Sequence, residues 1–296
     1  MFTGSLVALV TPFDGNNQVD YTCLKRLIDF HADAGSNGLV IAGTTGESAT
    51  LSRSEHVELI CRAVEIADGR LPVIAGTGSN STAQTVDLSR AVADSGIDAY
   101  LIVVPYYNKP VQEGLYQHFT VIADAIDKPV MMYNVPGRTV ADMLPETVAR
   151  LAQHDNIFGI KEATGDIDRL RAIQELIDGD FRYFSGDDFT LLPFIEQGGH
   201  GVVTVSGNVA PSQVAKLCRL ALDGRGEAAR ALDETLQALN KALFVESNPI
   251  PVKWAVSQMG LMEDNIRLPL TTYSSQYHEE MRAAMRQAGV AWEKNA

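Results

Sequence analysis

The sequence predicts an α/β fold in which eight βα units close into a (β/α)8 TIM barrel, followed by a C-terminal helical extension. Two observations predict it. Short apolar runs rich in Val and Ile recur at residues 6–10, 38–42, 73–76, 101–104, 130–133, 157–161, 182–185 and 202–205. Unbroken runs of this length, bounded by turn residues, mark parallel strands buried on both faces. Successive run ends then lie 32, 34, 28, 29, 28, 24 and 20 residues apart, and a strand–helix–strand unit takes roughly 30. The last two steps are shorter but keep the alternation.

The segments between the runs read as helices. Ser52-Arg53-Ser54-Glu55 and Ser81-Thr82-Ala83-Gln84 both have the spacing of a capping box, in which a hydroxyl and a side chain three residues on exchange backbone bonds. Residues 83–93 and 144–151 repeat apolar positions at intervals of three and four. A doubly wound open sheet is the competing architecture, but no Gly-x-Gly-x-x-Gly opens the first helix. Beyond residue 224 the strand pattern stops. Residues 226–244 read as a long helix, Asn248-Pro249-Ile250-Pro251 breaks it, and 252–259 and 279–287 read as two more. The expected division is a catalytic barrel over 1–224 and a helical appendage over 225–296.

Composition narrows the function. Of 296 residues, 46% are apolar and 21% charged, enough for a sizeable core. A net charge of −13 argues against a nucleic-acid or anionic-membrane partner, since both call for basic surface. It also means that an anionic substrate must be met by local cations. Cys23, Cys61 and Cys218 have neither metal-ligand nor disulfide spacing, which fits thiols in a reducing cytosol. The N-terminal apolar stretch is too short for a signal peptide or a membrane span. A cytoplasmic protein is expected. The six histidines share no metal-site spacing, so no metal is implied.

Lys161 ends the apolar run Ile157-Phe158-Gly159-Ile160. An amine there sits where water is scarce, and an uncharged lysine amine attacks carbonyls to give a Schiff base. The alternative is a lysine that snorkels to solvent or pairs with a carboxylate such as Glu162. The other lysines fall in helical patterns, in a loop, beside prolines or at the tail, so Lys161 alone reads as a nucleophile.

In a (β/α)8 enzyme the site is assembled from the C-terminal ends of several strands. After the second run, Gly43-Thr44-Thr45-Gly46-Glu47 suits a tight turn with inward backbone N–H groups, an anion nest, or simply an ordinary Gly-rich loop. The fourth and fifth runs lead into Tyr106-Tyr107 and Tyr133. Two tyrosines near one lysine favour proton transfer over purely structural roles. Arg138, just past Pro136-Gly137, is presented from a loop, where it suits bidentate capture of a carboxylate or is an ordinary solvated surface arginine. Asp187-Asp188 is expected to cap the helix running to Gln197.

The ordered set Gly43-Thr44-Thr45-Gly46-Glu47, Tyr133-Asn134-Val135-Pro136-Gly137-Arg138-Thr139 and Gly159-Ile160-Lys161-Glu162-Ala163-Thr164-Gly165 closely resembles the dihydrodipicolinate synthase family. The likeness runs from Gly4-Ser5 through Asn248-Pro249-Ile250-Pro251-Val252-Lys253-Trp254 to Arg267-Leu268-Pro269-Leu270. It implies a pyruvate-dependent class I aldolase on a (β/α)8 barrel, usually a homotetramer built as a dimer of dimers, with no metal or organic cofactor. The product is the first committed intermediate of diaminopimelate and lysine biosynthesis. By the same resemblance, Lys161 forms the Schiff base with pyruvate, and Thr44-Thr45 hold its carboxylate. The backbone near Gly186 and Val203 closes the pocket. Tyr133, Thr44 and Tyr107 form a proton relay, with Tyr107 reaching in from a neighbouring subunit. Arg138 binds the carboxylate of aspartate semialdehyde.

The resemblance also points to an allosteric lysine site at the positions of Ser48, Ala49, Arg53, His56, Asn80, Gln84 and Tyr106. Relatives that bind lysine tightly tend to carry an acidic residue where this chain has Gln84, and often histidine where it has Arg53. A neutral amide cannot offer an ammonium the charge-assisted bond of a carboxylate, so weak or absent feedback is expected. Two rival readings share the barrel. A sister enzyme, such as N-acetylneuraminate lyase or a 2-keto-3-deoxy-sugar-acid aldolase, would share Lys161, Tyr133 and the Gly-Thr-Thr-Gly turn but place other groups at Arg138. A catalytically inactive binding protein would be expected to lack Lys161, Tyr133 or Thr44, and all three are present.

Overall fold

A computed structural model describes residues 2–290. Eight parallel strands close into one barrel in sequence order. They are β1 (Gly4–Ala8), β2 (Gly38–Ile41), β3 (Val73–Gly76), β4 (Ala99–Val103), β5 (Val130–Asn134), β6 (Ile157–Glu162), β7 (Arg182–Ser185) and β8 (Gly201–Thr204). The closing pair is β1 with β8, in register from Gly4 opposite Gly201 to Val7 opposite Thr204. β3 and β7 have the bounds expected from the sequence. β1 and β4 each start two residues early, where Gly4-Ser5 and Ala99-Tyr100 join the ladder as well as their more apolar neighbours.

The outer helices are α1 (Tyr21–Ala34), α2 (Arg53–Ala67), α3 (Thr82–Ala91), α4 (Gln112–Ala125), α5 (Pro136–Thr139) and α6 (Pro145–Leu151). They continue with α7 (Ile167–Gln174), α8 (Leu191–Glu196) and α9 (Pro211–Leu222), and the C-terminal segment adds α10 (Gly226–Ala242), α11 (Ile250–Gln258) and α12 (His278–Gln287). The two short steps of the sequence pattern have a plain cause: α7 and α8 have 8 and 6 residues, against 14 and 15 in α1 and α2. The Ser52 box forms in full, with Glu55 returning a bond to the Ser52 N–H. The Ser81 box forms only by half. Ser81 caps the Gln84 N–H, but the Gln84 amide accepts from Ser79 Oγ instead of reaching back.

Two apolar cores follow from strand alternation. Inside the barrel, Leu6, Val40, Ile74, Leu101, Met131, Phe184 and Val203 fill the axis. Outside it, the strands' other faces meet the helices, with Leu39, Ile102, Met132, Ile160 and Val202 packed under Leu24, Phe119, Leu170 and Leu217. Each such fully buried side chain contributes about 1.5–3 kcal/mol.

The appendage is bound to the barrel rather than set apart from it. α10 packs on α8 and α9, and α12 packs on α10. The stretch between α10 and α11 returns over the C-terminal ends of the strands. Residues 291–296 of the expected appendage lie outside the described residues. No described helix is long and apolar enough to cross a membrane.

Candidate active site

A cavity of about 140 Å3 opens at the C-terminal ends of the strands, and Thr44, Thr45, Tyr133, Lys161, Gly186 and Val205 line it. Lys161 lies near the end of β6 and is only 6% exposed. It is paired across the ladder with Tyr133 of β5, and its Nζ stands 4.0 Å from the centroid of the Tyr133 ring. The alternation that turns Lys161 inward turns Glu162 outward. Glu162 accepts from Asn134 Nδ2 at 3.1 Å and from the Thr164 N–H at 2.8 Å, away from the amine. Burial pushes the Glu162 carboxyl above its ordinary range. The pairing of Lys161 with Glu162, open on sequence grounds, is not what this geometry holds.

The Thr44-Thr45 turn follows β2. Its backbone is pinned by Glu47 N–H to Thr44 O at 3.1 Å and Ser48 N–H to Gly43 O at 3.3 Å. The N–H groups of Thr44 and Thr45 donate to no acceptor among the described residues, as an anion nest requires. Thr45 is buried, and its Oγ1 accepts from Asn248 Nδ2 at 3.0 Å.

Gly186 follows β7, and its missing side chain is needed. A Cβ there would lie 2.9 Å from Lys161 Cε and 2.6 Å from the Ala163 Cβ. Val203 sits deeper, in the barrel interior opposite Leu6, and it is Val205 that reaches the cavity wall. Arg138, on the short α5, is exposed at the mouth, where its Nη2 donates to Asn248 O at 3.2 Å. Tyr107 is not brought to this cavity. It is 87% exposed, with a left-handed φ of 75°, and projects from the loop after β4.

The expected cap role of the paired aspartates is overturned. The N-cap of α8 is Thr190, without a side-chain bond. Asp188 instead turns inward, accepting from Thr204 Oγ1 and from the backbone N–H groups of Val205 (2.8 Å) and Ser206 (3.0 Å). Its full burial raises its pKa. It staples the end of β8, the last wall of the cavity, to the β7 loop.

A larger cleft of about 740 Å3 adjoins this cavity, and Thr44, Arg138 and Asn248 line both. Of the positions expected for lysine, Ser48, Ala49, Arg53, His56, Gln84 and Tyr106 line the cleft. Asn80 lies outside that lining, its carbonyl bonded by Asn108 Nδ2 at 2.8 Å. Arg53 pairs with Asp87 at 2.7 Å. His56 Nε2 donates to Gly76 O at 2.7 Å, and burial lowers its pKa.

Sequence reasoning missed Asn248 and Lys253. Asn248 read as part of a helix break and of the family likeness, with no role in the site, yet it bridges Thr45 and Arg138. Lys253 is more buried than Lys161, at 1% exposure, but its amine is tied to the Glu47 carboxylate. Their motif offered the one signal: a polar residue and a lysine flanking two prolines in a segment otherwise too apolar for a surface loop.

The profile of the dihydrodipicolinate synthetase family matches residues 1–288. The 4-hydroxy-tetrahydrodipicolinate synthase of Ectopseudomonas mendocina is 55% identical over 98% of this chain and 99% of its own. Among solved structures, the chloride-inhibited dihydrodipicolinate synthase of Acinetobacter baumannii, complexed with pyruvate, superposes with a TM-score of 0.96 at 45% identity, covering 98% of this chain and all of its own. A monomeric dihydrodipicolinate synthase variant superposes with a TM-score of 0.95 at 42% identity over 98% of each chain. With a closed barrel, a cavity lysine under a tyrosine ring and full-length similarity all in agreement, the chain belongs to the dihydrodipicolinate synthetase family.

Proposed function

We propose that this chain is a lyase that condenses pyruvate with L-aspartate 4-semialdehyde to give 4-hydroxy-tetrahydrodipicolinate, the first committed step towards diaminopimelate and lysine. The observation that carries it is Lys161: an amine at the floor of a small cavity, against the Tyr133 ring, beside an open anion nest. At about 140 Å3 the cavity is well below the roughly 300–1,000 Å3 of drug-sized ligand sites. A three-carbon keto acid suits it.

The chemistry follows from the placement. The pyruvate carboxylate docks on the N–H groups of Thr44 and Thr45, setting its C2 carbonyl before Lys161 Nζ. The amine adds to C2, and loss of water leaves a protonated imine. That imine is the electron sink, so loss of a C3 proton gives the enamine. The enamine carbon attacks the aldehyde of the second substrate, and the aldehyde oxygen takes up a proton. The substrate amine then adds to C2, expels Lys161 and closes the ring.

Tyr133, Thr44 and Tyr107 carry the protons, with Tyr107 supplied by a neighbouring subunit. Its 87% exposure in the single chain fits a residue that serves another copy. Arg138, at the mouth, receives the carboxylate of aspartate semialdehyde and supplies the local cation that a chain of net charge −13 needs. The barrel thus spends positioning, worth on the order of 7–11 kcal/mol at best, on one carbon. The working form is a cytoplasmic homotetramer.

A steady-state assay with pyruvate and aspartate semialdehyde tests the reading, with sialic acid and 2-keto-3-deoxy-sugar acids as comparison substrates. Consumption of the semialdehyde is expected. Cleavage of a sugar acid with no such consumption would assign the site to a sister aldolase.

A further inference from the structure

Two non-glycine residues in the left-handed region bracket the turn that holds Thr44 and Thr45: Ala42 at φ 56° and Glu47 at φ 55°. Such backbone costs roughly 1–3 kcal/mol per residue and persists only where the surroundings over-determine it. At Glu47 the surroundings come from far along the chain. One carboxylate oxygen accepts from Lys253 Nζ, 206 residues on, and the other from the Arg267 N–H at 3.1 Å, 220 residues on. The side chains of Glu47 and Lys253 are each 1% exposed. Lys253 Nζ and the Arg267 guanidinium lie 4.3 and 4.1 Å from the centroid of the Phe13 ring. Arg267 is itself anchored on Glu55 and the Thr50 carbonyl. The turn also has no slack towards β1: a Cβ at Gly46 would come within 3.1 Å of Leu9 O.

We propose that the buried Lys253–Glu47 pair is a positioning device, through which the C-terminal segment holds the Thr44-Thr45 turn in the shape that receives the keto-acid carboxylate. Net stability does not require such a pair. Removing two charges from water is costly, and apolar residues of similar volume often serve as well or better. An apolar pair would fill the space but could not fix both oxygens of Glu47, and with them its left-handed backbone. Neither residue touches the cavity that contains Lys161, so their effect on substrate passes through the turn. Lys253 is thereby also excluded as a second nucleophile, its amine being occupied.

The inference rests on the proposed Schiff-base reading, and the experiment separates the two. Borohydride trapping is measured against pyruvate concentration for wild type, Lys253→Met, Lys253→Arg and the double variant Lys253→Met/Glu47→Leu, with melting temperature recorded for each. Lys253→Met strands a buried carboxylate and should melt well below wild type. The double variant removes both charges and should recover most of that loss. Its half-saturating pyruvate should nevertheless stay on the order of 10–100-fold above wild type, the scale on which positioning errors act. Lys253→Arg keeps the charge with a bulkier fork; it should melt near wild type yet show a smaller rise in the same direction, which covers the case of a double variant that does not fold. Wild-type half-saturation in a stable double variant, or in Lys253→Arg if only that folds, would overturn the positioning role. No trapping in wild type would instead overturn the Schiff-base reading.

Discussion

Lys161 Nζ stands 4.0 Å from the centre of the Tyr133 ring, and the two residues are direct ladder partners on β6 and β5. Behind them, the next pair in register, Glu162 and Asn134, is bonded on the outer face of the same two strands. The inner pair faces the cavity and the outer pair locks the strands that carry it. The proposed nucleophile and the Tyr133 phenol are therefore fixed to each other by sheet register rather than by loop conformation.

Gly186 sets the room left for the Lys161 side chain. A methyl at this position would lie 2.9 Å from Lys161 Cε, so Gly186→Ala must move the amine. The rate of pyruvate-dependent trapping should fall on the order of tenfold or more, by the misplacement argument. Circular dichroism and melting temperature distinguish this from unfolding, since the collision is with one flexible side chain and one methyl group.

Tyr107 should act in the site of a neighbour. Tyr107→Phe and Lys161→Ala are each expected to lose most activity alone. Mixed after dissociation and reassociated, they should regain part of it, because in a hybrid pair one site carries both changes and the other carries neither. Mixtures no more active than the parent variants would place Tyr107 outside the relay.

Acid stability should carry the signature of Glu55. Its bond to Arg267 and, secondarily, its bonds to Ser52 hold its pKa down to about 2, with burial opposing. A carboxyl lowered on folding contributes fully above its unfolded value near 4.5, and that contribution is lost as pH falls through about 2. The side chain is 26% exposed, so screening trims the benefit to about 1–2 kcal/mol. Denaturant titrations from neutral pH downwards should show Glu55→Gln less stable at neutrality, with the difference from wild type closing in acid. A constant difference at all pH values would contradict the assignment.

Feedback by lysine should be weak. Gln84 is a neutral amide engaged by Ser79, and the carboxylates that line the cleft, Asp87 and Glu47, are already paired with Arg53 and Lys253. Gln84→Glu should strengthen inhibition if the cleft is the effector site, by supplying the charge-assisted bond now missing. Inhibition of the wild type at submillimolar lysine would contradict the expectation.

Much of the barrel was legible because its strands are unbroken apolar runs at a near-constant repeat, a local signal that needs no knowledge of distant contacts. Lys161 and Tyr133 were legible for the same reason, as polar residues standing where those runs end, whereas Thr44 and Arg138 lie in the loops beyond and were singled out by the family resemblance. What escaped was long-range. Asn248 and Lys253 act on Thr45 and Glu47 across more than 200 residues, and no local pattern encodes such a partner. Asp188 has cap chemistry and cap spacing, yet three donors at the end of β8 outbid the helix for its carboxylate. Gln84 likewise has box spacing but meets a nearer hydroxyl in Ser79. Val203 lies on β8 and faces the barrel interior, whereas Val205 follows the strand with helical backbone and lines the cavity, and the residue at which the strand ends is not visible in an unbroken apolar run.

Incubation with pyruvate and borohydride, followed by peptide mass mapping, addresses the nucleophile itself. One reduced pyruvyl group is expected on the peptide that carries Lys161, with no gain on the peptide that carries Lys253 and none in Lys161→Ala. An unmodified Lys161 peptide, or a pyruvyl group on another lysine, would contradict the assignment.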